Sequence, residues 1–364
     1  MITYWLYFLL PFAGVLSPLR VTGTLRTLGW TLLILISIFF IGLRTEVGGD
    51  WANYLDFFYR TSNEDFSFVY GSTEPGYVLL NWISGKLGWG IYGANTACAA
   101  LFVSGLAILC LRQPFPTLAW LIATPYLIVV VGMGYTRQSV AAGFVMAALT
   151  FLEKRRVLLF LALIFLATMF HKSALLIAPL CVVLVDEKML SRVRDKFRRH
   201  TQVGLALIIV FIIIGCLVVF FSINNPDRVF SEFREYVLKD NWHSEGGMIR
   251  ALMNAGPAVL LLMFHRQWRR SFGESRLWFA IAGAVILLLV LTPFISTFSD
   301  RIAIYLIPIQ IYVLSRVPLL FKNATLQGLS VISVSGLYVL VLYVWINYAE
   351  HAYYWVPYKG FGLP

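Results

Sequence analysis

Long apolar runs, broken by short polar or charged intervals, set the pattern of this chain. A bilayer core is crossed by about 20 apolar helical residues. Charge-poor runs near that length fall at 3–17, 27–43, 94–111, 115–131, 137–152, 157–170, 174–185, 203–222, 249–265, 277–295, 302–320 and 326–348. They predict an all-α, polytopic transmembrane bundle of about 12 spans, or 11–14 if marginal segments are counted otherwise. Two runs, 157–170 and 174–185, are short and read as half-helices meeting at His171-Lys172-Ser173. Gly76–Ile91 is amphipathic and Trp-rich, so it reads as an interfacial helix or as one further span. Met1–Phe12 has no basic stretch ahead of its apolar residues and reads as a first span, not a cleaved signal peptide. No internal repeat and no soluble stretch stands out, so residues 1–364 read as one integral membrane domain.

Composition agrees. The chain is 59% hydrophobic and 13% charged, about half the charge of a soluble domain. Its mean hydropathy is +0.78. A soluble enzyme, a nucleic-acid module and a disordered protein are excluded on that balance. The net charge of +11 would suit nucleic acid if it were clustered on one soluble face. Its distribution is instead a topology signal. With the N-terminus outside, one face collects 18 Lys and Arg against 11 on the other, while acidic residues split 5 against 13. Lys154-Arg155-Arg156, Lys188–His200 and Arg266–Arg276 all fall on the basic face, which the positive-inside rule makes cytoplasmic. The outer face then carries loops at about 44–93 and 223–248 and the tail 349–364, with both termini outside. The four cysteines, Cys98, Cys110, Cys181 and Cys216, lie in apolar runs without CxxC spacing and read as packing residues.

The informative polar groups gather at the outer ends of the spans, where a charge needs a reason. They are Arg44, Asp50 and Tyr54 after the second span, Glu74-Pro75-Gly76-Tyr77 in the first loop, and Arg137-Gln138 opening the fifth span. His171 sits at the turn between the short spans, Arg250 opens the ninth, and Asp300-Arg301 precedes the eleventh with Tyr305 one turn on. Each has a plainer reading. Arg44 snorkels at a helix end, Asp50 caps a helix starting at Trp51, and Glu74 is a solvated turn residue. Arg137 and Gln138 mark the water boundary, His171 is a satisfied turn histidine, and Asp300-Arg301 is a local ion pair of little energetic worth. Lys172, Lys86 and Arg60 take the plain reading.

Jointly the pattern says more. Arginine grips phosphate oxygens bidentately and stays charged in a partly dry site. A His, Asp or Glu can remove a proton from a sugar hydroxyl. That set suits chemistry on a lipid-linked diphosphate. G-x-x-x-x-G-K-[ST], a G-x-G-x-x-G that follows a strand, H-E-x-x-H and D-x-D are all missing from the sequence, and an enzyme working outside the membrane must draw on an already activated lipid donor.

At these residues the sequence resembles the EpsG-type (Wzy-like) bacterial exopolysaccharide and O-antigen polymerases. The matching elements are Arg44…Val47-Gly48-x-Asp50-x3-Tyr54, Glu74-Pro75-Gly76-Tyr77, Arg137-Gln138 with Ala141, His171-x-Ser173, Asp300-Arg301-x3-Tyr305 and the closing Trp355-x-Pro357-Tyr358. They run from residue 44 to 358, in order. The Thr-Glu pair after Arg44 departs from the more usual aromatic. The resemblance implies a glycosyltransferase of the bacterial cytoplasmic membrane whose site faces outward. It joins undecaprenyl-diphosphate-linked oligosaccharide repeat units and releases undecaprenyl diphosphate. Donor, acceptor and the lipid bilayer are the implied partners, with a chain-length regulator of the pathway beside them and no nucleic acid.

On that reading Arg44, Arg137 and Arg301 are expected to hold the diphosphate, with Arg250 a weaker fourth. The base candidates are His171, Asp50 and Glu74, in that order. Tyr54, Tyr77, Tyr305 and Trp51 are expected along the sugar path, with Gln138 and Asp300 in support and the 44–93 loop as part of a lid. No motif calls for a metal or a cofactor. A lipid-linked sugar flippase, a membrane O-acyltransferase and a glycan ligase are the rival readings. The absence of repeated halves weighs against the first, and an outer-face histidine against the second. The ligase is chemically close.

Overall fold

The computed structural model of the protein describes residues 1–17, 22–70, 72, 74–184 and 245–361. The run at 203–222, the basic stretch Lys188–His200 and nearly all of the 223–248 loop lie outside the described residues. Within them the regular structure is helical, with one isolated β-bridge between Arg44 and Gly360.

Among the described residues, five helices are long and apolar enough to cross a membrane: Gly23–Gly42 (α2), Gly90–Cys110 (α5), Pro116–Gly134 (α6), Gly246–Met263 within α9 (Glu245–Met263), and Ala324–Tyr348 (α14). A sixth is a broken span, Ser296–Leu306 (α12) and Pro308–Leu320 (α13) meeting at 43°. Ile2–Leu16 (α1), Val157–Thr168 (α8) and Arg276–Leu291 (α11) are shorter apolar helices. Thr136–Glu153 (α7) is 18 residues long, but opens on the polar Thr136-Arg137-Gln138. The protein is a multi-pass helical membrane bundle. The expected runs in the described residues are each represented by helical structure. Among the described residues, length and hydropathy support five crossings, or six with the broken span, and do not show the expected twelve. The Trp-rich segment forms a 12-residue helix, Pro75–Lys86 (α4). At about 1.5 Å per residue it reaches roughly 18 Å, too short for a hydrocarbon core of about 30 Å.

Small residues set the central helix crossing. Gly105 of α5 faces Gly143 of α7, and a Cβ on Gly105 would lie 2.0 Å from the Gly143 carbonyl oxygen. Close backbone approach of this kind replaces hydrophobic drive between helices in lipid. α6 runs through this core almost wholly buried. Pro125 lacks an N–H, and Thr124–Val131 winds as a π-helix.

The broken span has its own compensation. Pro308 interrupts the helix, and the Ile307 N–H turns back to Ile304 O instead of Ala303 O. The Ala303 carbonyl is taken by Asn254 Nδ2 of α9 at 2.9 Å. Asn254 Oδ1 accepts from Gln310 Nε2 at 2.7 Å, and Gln310 Oε1 from the Tyr338 hydroxyl at 2.6 Å. An unpaired carbonyl at membrane depth is costly, and this buried chain across three helices removes the cost.

Helix direction gives the bundle a polarity. The Lys154-Arg155-Arg156 turn joins α7 to α8, and the basic helix His265–Phe272 (α10) follows α9. Arg44, Arg137, His171, Arg250 and Arg301 lie at the opposite ends of those same helices or their neighbours.

Candidate active site

Local chain chemistry brings the sequence motifs together. Gly48 holds φ +103, and a Cβ there would sit 2.6 Å from Met133 O. Only glycine lets the loop after α2 press on the end of α6. Pro75 starts α4 at its first turn, where its missing N–H costs nothing. Gly76 donates its N–H to Met169 O at 2.9 Å, and a Cβ on it would meet the Phe170 ring at 2.8 Å. The Glu74-Pro75-Gly76 corner is thereby seated on the turn that carries His171.

Glu74 sits at the N-cap of α4 but makes no capping bond with its side chain. Its carboxylate accepts from Arg137 Nη1 at 2.6 Å. Glu74 is 7% exposed, while the Arg137 side chain is 43% exposed, so the guanidinium forms the open side of the pair. Arg137 also stands 5.9 Å above the Tyr54 ring. Behind it Tyr54 packs edge-on against Tyr77, and Tyr77 stacks on Phe57.

At the turn after α8, Ser173 Oγ lies 2.6 Å from His171 Nδ1. The Tyr305 hydroxyl of α12 is 3.2 Å from that oxygen and 3.3 Å from the same nitrogen. Gln138 of α7 donates to the Arg301 carbonyl at 2.9 Å, tying α7 to α12. Burial pushes the Glu74 carboxyl above its usual range, against the opposing pull of Arg137, Lys172 and Arg301. Burial, then the charges of Arg301, Arg137 and Lys172, lowers His171 to about 3. Glu74, Arg137, His171, Lys172 and Arg301 thus form one electrostatic unit drawn from α4, α7, α12 and the 168–173 turn.

Two of the expected diphosphate ligands are built differently. Arg44 is 1% exposed, and its guanidinium donates to Ile41 O at 2.7 Å, Val47 O at 3.2 Å and Thr136 Oγ1 at 2.7 Å. Arg250 is buried in an ion pair with Asp300 at 2.5 Å, among the Tyr126 and Tyr135 rings. Neither presents a free fork to a substrate. Tyr77 and Tyr305 are buried as well, and form the wall of the site instead of an open sugar path. Asp50 stands at the N-cap of α3 (Trp51–Ser62) without a side-chain capping bond, and its carboxylate accepts from Asn53 Nδ2 at 3.4 Å.

The family profile of EpsG matches residues 27–360, nearly the whole chain. The chain belongs to the EpsG family. Searches of curated proteins and of solved structures return no significant match. EpsG is a Wzy-like polymerase family, and this EpsG chain carries the arrangement just described near the ends of its short motifs. Lys172 and Ser173 enter the site although the sequence reading gave Lys172 no role and Ser173 only a place in a motif. Their sole signal was adjacency to His171. The carboxylates of buried Glu74 and half-buried Asp300 each face a guanidinium, and Lys172 and Arg301 leave this EpsG site with an excess of positive charge.

Proposed function

We propose that this EpsG-family protein polymerises undecaprenyl-diphosphate-linked oligosaccharide repeat units at the outer face of the bacterial cytoplasmic membrane, with both termini outside. The observation that carries the reading is the Glu74–Arg137 ion pair beside His171 and Arg301. It offers a half-open cation for a diphosphate and a buried carboxylate for an acceptor hydroxyl.

In this mechanism Arg137, Arg301 and Lys172 take the donor diphosphate. The acceptor hydroxyl oxygen attacks the anomeric carbon, the bond from that carbon to the diphosphate oxygen breaks, and its electron pair leaves with undecaprenyl diphosphate. Fixed cations facing that developing charge supply much of the rate gain. Glu74 receives the hydroxyl proton. Before substrate arrives Arg137 is paired with Glu74 and opposes the effect of its burial. A diphosphate that draws Arg137 toward itself raises the proton affinity of Glu74, so the base strengthens when the donor is in place. Glu74 displaces His171 as first choice because an imidazole held at about 3 is a weak proton acceptor near neutrality. Arg44 and the Arg250–Asp300 pair act as positioning groups, setting the start of α7 and the first turns of α12. Asp50, near Tyr54, is assigned to acceptor sugar hydroxyls. A chain-length regulator is assigned as a partner.

Purified protein in nanodiscs, given the native lipid-linked repeat unit and no nucleotide sugar, is expected to yield a ladder of longer lipid-linked glycans. Absence of a ladder with intact protein, together with movement of the unit across a liposome bilayer, replaces this reading by a flippase.

A further inference from the structure

Two basic segments, far apart in the chain, are packed around one aromatic hub at the end of the bundle opposite Glu74 and Arg137. Tyr312 of α13 stacks on Trp278 of α11 with centroids 4.0 Å apart, and Trp268 of α10 stands 6.0 Å from it. Trp278 Nε1 donates to Glu153 Oε1 at 3.1 Å, which draws the end of α7 onto the hub. Lys154-Arg155-Arg156 and the arginines Arg266, Arg269 and Arg270 of α10 thereby share one end, all exposed. The carboxylates on these segments are both engaged, Glu153 by the indole and Glu274 by Arg276 at 3.2 Å. The cations begin where exposed apolar side chains stop. Met263 and Phe264 lie just before α10, and Leu158 and Leu159 just after Arg156. That sets the charge at the level of lipid headgroups. The backbone at Arg155 is also strained. Its φ is +58, in the left-handed region that favours glycine. Arg155 donates its N–H to Leu152 O at 2.7 Å and Arg156 to Phe151 O at 3.0 Å, the Schellman pairing that closes α7. A topology signal needs only cations near the membrane, and Lys154 and Arg156 supply them. It does not need one at the position where a side chain costs most.

We propose that the α7–α8 turn and the outer face of α10 together form a docking surface for anionic phospholipid headgroups, with Arg155 and the Arg266, Arg269 and Arg270 face as the contacts to phosphate. The spacing 266, 269 and 270 puts three guanidiniums on one side of α10, while buried Trp268 and half-buried Phe272 hold its other side to the hub. Arg269 also stands 5.6 Å over the Phe279 ring, which fixes its stem. A guanidinium is weakly hydrated and matches phosphate oxygens with its planar fork. Headgroups seated here offset repulsion among the clustered cations, and a ligand that binds only the folded state stabilises it. The surface is separate from the diphosphate site and does not rest on the polymerase reading.

The test is native mass spectrometry of the full-length protein released from nanodiscs holding equal amounts of phosphatidylglycerol and phosphatidylcholine. Phosphatidylglycerol is expected to be enriched among the retained lipids. Arg155→Gly and Arg270→Gln are each expected to cut that enrichment about five-fold, the equivalent of about 1 kcal/mol per basic residue at an anionic surface. Arg60→Gln, on α3 at the other end of the bundle, should leave it unchanged. Thermal unfolding supplies a second arm. Glycine suits the backbone at 155, so in pure phosphatidylcholine Arg155→Gly should unfold at or above the wild-type midpoint. The rise in midpoint that phosphatidylglycerol gives the wild type should shrink in this variant. Absence of enrichment in the wild type, full enrichment in Arg155→Gly, or an equal loss in Arg60→Gln overturns the proposal. So does inorganic phosphate that raises the midpoint in phosphatidylcholine as much as phosphatidylglycerol does, since a soluble anion then accounts for the surface.

Discussion

At the scale of single residues, an arginine's place in the chain says less than its partner. Arg137 and Arg44 both follow an apolar run's end, yet one is half-open against Glu74 and the other is sealed among backbone carbonyls. Arg137→Ala is therefore expected to reduce ladder formation by about 10²–10³-fold, as loss of one oriented charge stabiliser does, with membrane abundance unchanged. Arg44→Ala is expected to lower the amount of folded protein first, measured by fluorescence-detected size exclusion. If the two variants behave alike in both assays, the division between substrate-facing and supporting arginine fails. The pH profile belongs to this scale too. Glu74 must be ionised to accept a proton, and burial raises its carboxyl. Activity should thus fall as pH drops through a point above the ordinary carboxylate value of about 4.3. His171, held neutral down to about 3, should add no limb near 6.5. A limb at 6.5 that disappears in His171→Gln would restore His171 as the base. The sequence made these residue types and their order readable. It did not reveal which charges meet, because Arg250 and Asp300 lie far apart in sequence and join only through the packing of α9 on α12.

At the scale of elements, periodicity and turn chemistry located the helices well, and the short runs did meet at His171-Lys172-Ser173 as half-length helical pieces. What periodicity could not resolve is which helices cross the bilayer, since buried helices inside a bundle need not be apolar enough by themselves. α7 is the example: its polar opening and small residues make it a poor span by hydropathy, yet it is the helix on which α5 and α8 pack. The glycine crossing explains how. Gly105→Ala would place a Cβ 2.0 Å from Gly143 O and force α5 and α7 apart. The expected cost is about 1–3 kcal/mol, the usual range for overpacking, seen as a lower midpoint in detergent thermal unfolding. Gly328→Ala on α14, where a Cβ meets nothing within 4 Å, should leave the midpoint in place. A Gly105→Ala protein as stable as wild type would mean that the two helices do not approach so closely.

At the scale of the whole molecule, the chain closes on itself at the site's end. Thr45 donates to Lys359 O and Phe361 to Leu43 O, while Gly48 donates to Tyr354 O. Trp355 inserts below this seam, its indole N–H on Val129 O at 2.9 Å in the π-helical turn and its ring against Gly134. Tyr4 from α1 donates to Trp355 O at 2.6 Å, and Tyr358 to Phe40 O at 2.9 Å. No periodicity announces a contact between residues 4 and 355, so the sequence showed the Trp-x-Pro-Tyr ending without its use. Trp355→Ala is expected to cost about 3–5 kcal/mol, the range for truncating a buried aromatic, and to lose activity although Trp355 makes no contact with Glu74. Orientation is the larger question at this scale. The ion-paired cluster and the basic turns Lys154-Arg155-Arg156 and Arg266–Arg276 occupy opposite ends of the same helices, so the positive-inside rule, if it governs here, puts Glu74 and Arg137 outside. Single cysteines in a background without the four native ones read this directly. Glu64→Cys, exposed beyond α3, should react with an impermeant maleimide on intact spheroplasts. Arg270→Cys, exposed on α10, should react only after the membrane is opened. The reverse pattern would turn the site to the cytoplasm, where a lipid-linked donor competes with nucleotide sugars, and the outer-face polymerase would have to be abandoned even with every distance in the site unchanged.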